Sequence, residues 1–122
     1  MTVTVASRFY DLRQAYPALG SGVQEDELHA IAAAEGIVIE RVRRLPSAGA
    51  TLNAAGTAVI LLRADLEPDQ ARSTLAHELA HVWLGHGAEP VAERSRISRK
   101  RREQELEADS LAHLILNAKL RR

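Results

Sequence analysis

The hydrophobic pattern is sharpest at residues 57–63 (TAVILLR), apolar through the middle and preceded by a turn-forming Gly56. Such a run predicts a buried strand. Upstream, Ile37 and Ile39 alternate with Val38 and Glu40, which predicts another strand over residues 37–45. Residues 46–50 read as a turn, residues 51–53 as a short strand, and the Asn53 to Gly56 stretch as a hairpin turn. The other periodic segments are helical. Residues 4–16 predict a short helix ending near Pro17. Ser21 and Gln24 have capping-box spacing and predict a helix to about Glu35, with Leu28, Ile31 and Ala32 inward and Gly36 as its terminator. Pro68 suits the first position of a further helix, with Asp69 in its first turn, and that helix runs to about Leu84. After a loop to about residue 97, a last helix is expected over residues 98–120. Its stripe is Ala108, Leu111, Leu114, Ile115 and Ala118, and Lys119, Arg121 and Arg122 complement its C-terminal dipole. This order predicts a single α+β domain over residues 1–122, with residues 1–22 as an N-terminal extension. A small sheet of about three strands packs against a central helix and a long C-terminal helix.

The helix around residues 70–85 changes the picture. On a helical wheel, Ala71, Leu75, Ala76, Leu79, Ala80, Val82, Trp83 and Leu84 cover nearly the whole circumference. A helix apolar almost all round is a buried central one. Its one polar sector holds Gln70, Thr74, His77, Glu78, His81 and Gly85. Within it, His77-Glu78-Leu79-Ala80-His81 is an HExxH motif. Residues four apart share a helix face, so two imidazoles can reach one ion, while the adjacent Glu can act on a water there as general base. The competing reading is a pair of hydrogen-bonded core histidines with a surface glutamate.

Composition narrows the chemistry. The chain has no cysteine, so a transition metal would be held by His and carboxylate, and disulfide or iron–sulfur scaffolds are excluded. Its formal net charge is zero, which gives no whole-molecule field favouring nucleic acid or membrane. Neither a signal-peptide pattern nor a membrane-length apolar run is evident, and a cytoplasmic location is the expectation. Charge is nevertheless uneven. Arg94, Arg96, Arg99, Lys100, Arg101 and Arg102 form a basic run, read either as a solvated face or as a grip on an acidic segment or nucleic acid.

Two histidines need a third protein ligand to make a catalytic metal site. The start of the last helix offers Glu103, Glu105, Glu107 and Asp109. Judged by the apolar stripe, Glu107 lies nearest the inward face, Glu105 on the other flank, and Glu103 and Asp109 toward solvent. Glu107 is therefore the expected ligand, and the other acids are read as a solvated cluster. His86 follows the motif too closely to be a third histidine ligand; it is read as a surface loop residue or as an oxyanion stabiliser. His29 and His113 are read as surface residues and Trp83 as core.

The segments STLAHELAHVWLGH and ELEADSLAHLIL, with the strand and ADLEPDQAR before them, resemble the ImmA/IrrE-type metallopeptidases. They are also similar to the peptidase-like domain of ArdC antirestriction proteins. The resemblance runs from about residue 25 to residue 119. It implies a zincin-like fold and a gluzincin-like zinc site, with His77, His81 and Glu107 as ligands and Glu78 as base. It also implies cleavage of a specific protein, in this family often a transcriptional repressor. The chain departs from the family where Asp109 replaces a frequent Asn and where Leu114-Ile115-Leu116-Asn117 replaces an LLMP-like end. The alternative is a metal-stabilised protein- or nucleic-acid-binding accessory of antirestriction, toxin–antitoxin or phage type, acting without proteolysis.

Overall fold

The computed structural model describes residues 4–86 and 99–117. Its elements follow in the order α1 (Val5–Ala15), α2 (Glu25–Ala34), β1 (Val38–Val42), β2 (Gly49–Ala54), β3 (Thr57–Arg63), α3 (Pro68–Trp83) and α4 (Arg99–Leu116). This is the expected α+β arrangement of a small sheet against helices. The expected loop over residues 87–97, the basic positions Arg94 and Arg96, and the chain beyond Asn117 lie outside the described residues. No described helix is long and apolar enough to cross a membrane.

Helix ends follow local chemistry. Thr4 caps α1 by accepting the Ser7 backbone N–H, and Pro68 opens α3 behind a Glu67–Gln70 capping box. The start of α2 differs from expectation. Its capping box is Gln24 with Glu27, not Ser21 with Gln24. Gly20 and Gly22 flank Ser21 at φ 82° and 80°, left-handed geometry that cannot belong to a helix. The Ser21 hydroxyl instead bonds back to the Pro17 carbonyl.

The sheet is mixed, in the order β1-β3-β2, with β3 parallel to β1 and antiparallel to β2. Ala55 and Gly56 turn the hairpin at φ 53° and 89°, and the Asn53 side chain accepts the Gly56 N–H. The strand β3 buries Ile60 and Leu62 completely, while Val59 and Leu61 on its other face are half-buried. Full burial was expected of the whole run. Here alternate residues carry it, because α3 covers one face of β3.

The centre of the molecule is α3. It packs on α2, α4, β2 and β3, and Leu75, Ala76, Leu79 and Ala80 are fully buried. Against it α4 presents Ala108, Leu111, Ala112 and Ile115. Alanines on both helices permit a close approach, which brings short acidic side chains of α4 within reach of the α3 histidines.

Candidate metal centre

His77, Glu78 and His81 emerge together on α3, as the spacing predicts. Glu78 and His81 are buried and His77 is half-buried. The imidazoles turn the same nitrogen toward one point: His77 Nε2 and His81 Nε2 lie 3.2 Å apart. From α4 the Glu105 carboxylate closes the group, with Oε1 3.1 Å from His77 Nε2 and Oε2 3.1 Å from His81 Nε2. Among the described residues, His77, His81 and Glu105 form the group able to hold a metal ion.

Asp109 explains how His77 is oriented. Its Oδ1 lies 3.0 Å from His77 Nδ1. A carboxylate only accepts at neutral pH, so Asp109 favours the His77 tautomer protonated on Nδ1, the one whose Nε2 lone pair can ligate an ion. A metal-ligating histidine is commonly held this way. Burial is the leading reason that His81 is pushed down to about 4, only partly opposed by Glu105, so it is neutral at pH 7. The group is thus a set of potential ligand atoms facing one another. Such a set is repulsive unless a proton or a metal cation lies among them. A four-coordinate ion with bonds of about 2.0–2.1 Å sets its ligand atoms roughly 3.3–3.4 Å apart, close to the separations found here. The donor set fits a metal.

The structure does not bring Glu107 to this point. Its Oε1 lies 2.8 Å from His86 Nε2, and His86 Nδ1 lies 2.9 Å from His81 Nδ1. The expected placement depended on the phase of α4. The buried stripe is Ala108, Leu111, Ala112 and Ile115, whereas Leu114 is half-buried. Among the described residues, exchanging Leu114 for Ala112 turns the inward face by about 40° at about 100° per residue. That rotation brings Glu105 nearer the inward face and moves Glu107 away. Asp109 is exposed, as expected, yet also meets His77, and the His86 side chain lies covered against His81 and Glu107. By contrast His113 is exposed and His29 half-buried beside Glu25, while Trp83 is core.

The other wall of the site is β2. Thr51 Oγ1 donates to Glu78 Oε1 at 2.6 Å. Burial raises the Glu78 carboxyl above its ordinary value, and the Thr51 bond opposes that rise. This contact exists because Gly49 lets the strand come close. A Cβ there would stand 2.6 Å from Thr74 Cγ2 and 3.1 Å from Glu78 Cγ. Arg101 Nη2 reaches Glu105 Oε2 at 3.0 Å from one turn earlier on α4.

No curated protein matches the chain. The family model described as Peptidase_M78, IrrE N-terminal-like domain, matches residues 32–120, which takes in the sheet, the HExxH helix and the acidic start of α4. With that match over most of its length, the chain belongs to the Peptidase_M78 family, a metallopeptidase-type family.

Proposed function

We propose that the chain is a zinc-dependent endopeptidase in which His77, His81 and Glu105 hold the ion and Glu78 is the general base. The observation that carries this reading is the convergence of the two Nε2 atoms and both Glu105 oxygens, with Glu78 buried alongside. When bound, the ion supplies Lewis acidity, polarising the scissile carbonyl and acidifying water. Glu78 takes the proton of the attacking water and passes it to the leaving amine as the C–N bond breaks. Its raised proton affinity suits both transfers, and Thr51 keeps the carboxylate aimed. Asp109 fixes His77, and Arg101 steadies Glu105.

The substrate we favour is an extended protein segment. In the sheet order β2 is an edge strand, and among the described residues its outer side pairs with no other strand. A peptide added there would run past Thr51 and Glu78 with backbone hydrogen bonds available to it. DNA-binding repressors are the candidates to try first. Purified protein with zinc should cut its substrate into discrete fragments, chelator should stop this, and Glu78→Gln should slow it at least about a hundredfold while keeping the metal. Zinc-loaded protein that binds repressor or nucleic acid but cleaves no candidate would support the accessory-module reading instead.

A further inference from the structure

His86 and Glu107 lie outside the ligand group, yet both are tied to it, and the way α3 ends makes the tie possible. Gly85 adopts φ 75°, so the chain reverses directly after the helix. Two nested backbone bonds complete the reversal, Gly85 N–H to the Val82 carbonyl and His86 N–H to the His81 carbonyl. This type of helix end brings the second residue after the cap back over the third-last helical residue, usually in an apolar contact. Here those residues are His86 and His81. Their rings meet edge-on with centroids 5.1 Å apart, and the His86 side chain is only 6% exposed.

Two carboxylates compete for the His81 proton, Glu105 at Nε2 and, through His86, Glu107 at Nδ1. Glu107 can only accept, so His86 carries a proton on Nε2, 2.8 Å from the carboxylate. In a neutral ring that leaves His86 Nδ1 as an acceptor. The 2.9 Å contact with His81 Nδ1 then requires His81 to donate from Nδ1. His81 Nε2 is left with its lone pair directed toward His77 and Glu105. The opposite arrangement would protonate His81 Nε2 and remove one ligand. Asp109 does for His77 directly what Glu107 does for His81 through an intervening ring.

We propose that His86 and Glu107 are positioning residues which, without touching the metal, hold His81 in the tautomer and orientation that ligate it. This rests on the metal centre proposed above. Histidine ligands whose second nitrogen is anchored typically bind metal about 10–100-fold more tightly than those whose anchor is removed. Glu107 acts only through His86, so its removal matters only while His86 is present. A glutamine at position 107 still offers a carbonyl oxygen to His86 Nε2–H and should largely preserve the effect.

The test measures zinc affinity of the full chain by competition with a chromophoric chelator. It is paired with ¹⁵N NMR of the His81 ring in metal-free protein, which reads the tautomer without any activity. His86→Ala and Glu107→Ala should each weaken zinc binding about 10–100-fold. Both should shift His81 from the Nδ1–H form toward the Nε2–H form that Glu105 favours. Glu107→Gln should stay near wild type, and His86→Ala with Glu107→Ala should be no weaker than His86→Ala alone. Glu107 is half exposed, so its variants keep the test valid even if His86→Ala folds poorly. Wild-type affinity and tautomer in Glu107→Ala would overturn the proposal, as would a loss in Glu107→Gln as severe as in Glu107→Ala. Glu105→Ala separates the two levels. If it loses zinc while the His86 and Glu107 variants do not, the relay alone is wrong; if it keeps zinc, the metal centre itself is wrong.

Discussion

Thr51→Val removes one hydroxyl and keeps the shape and strand preference of the side chain. The hydroxyl donates at 2.6 Å to a carboxylate that is only 8% exposed, so water cannot readily replace it. A hydrogen bond to a charged group contributes about 1.5–3 kcal/mol, and a buried acceptor left unpaired sits at the costly end of that range. The expected destabilisation is therefore about 2–3 kcal/mol where Glu78 is ionised. The loss should shrink under acid. Burial already raises the Glu78 carboxyl and Thr51 opposes the rise, so the variant takes up its proton at higher pH. Once both proteins carry a protonated Glu78, only a neutral bond of about 1 kcal/mol separates them. Urea unfolding of chelator-treated protein at pH 8 and pH 5 measures this, with Thr51→Ser as the control that retains the hydroxyl. A Thr51→Val loss equal at both pH values, or below about 0.5 kcal/mol at pH 8, would refute the claim that Thr51 stabilises the ionised base.

Two further outcomes follow from the same structure. Ala55 sits at φ 53° in the hairpin, where a non-glycine residue carries strain of roughly 1 kcal/mol. Ala55→Asn, better tolerated in that geometry, should raise the melting temperature by a few degrees, and an unchanged or lower value would count against the turn as described. In chelator-treated protein, stability should fall as pH drops from about 6.5 toward 4. The unfolded chain protonates His81 near its ordinary 6.5 while the folded chain holds it near 4, so acid favours unfolding by at most about 3 kcal/mol. Glu78 works against this, because its raised carboxyl takes up a proton first in the folded state. The decline should therefore steepen in Glu78→Gln; a flat profile there would contradict the burial argument.

Much of this architecture is legible in the chain because strong local signals agree with the packing. Pro68, Asp69 and the all-round apolar pattern of residues 70–85 fix α3, and Gly36 terminates α2 in left-handed geometry. The HExxH spacing then places both histidines without tertiary information. What fails is phase and reach. Ala112 is buried while Leu114 is only half-buried, and an alanine gives no sign in sequence of facing the core rather than solvent. That ambiguity puts Glu107 nearest the inward face in the sequence, whereas Glu105 is the carboxylate that faces the two histidines. The roles of Asp109 and His86 depend on how closely α3 and α4 approach and on how the chain turns at Gly85. Both are tertiary facts that spacing alone does not encode. Likewise the Gly20 and Gly22 geometry defeats the apparent cap at Ser21, since a local motif loses to backbone already committed to a turn.

The central claim is that one metal ion is held by His77, His81 and Glu105. Elemental analysis of dialysed protein tests it most directly, comparing wild type with His77→Ala, His81→Ala, Glu105→Ala and Glu107→Gln. Wild type and Glu107→Gln should each carry about one zinc per chain, and the other three none above background. Full zinc in Glu105→Ala together with its loss in Glu107→Gln would contradict the claim.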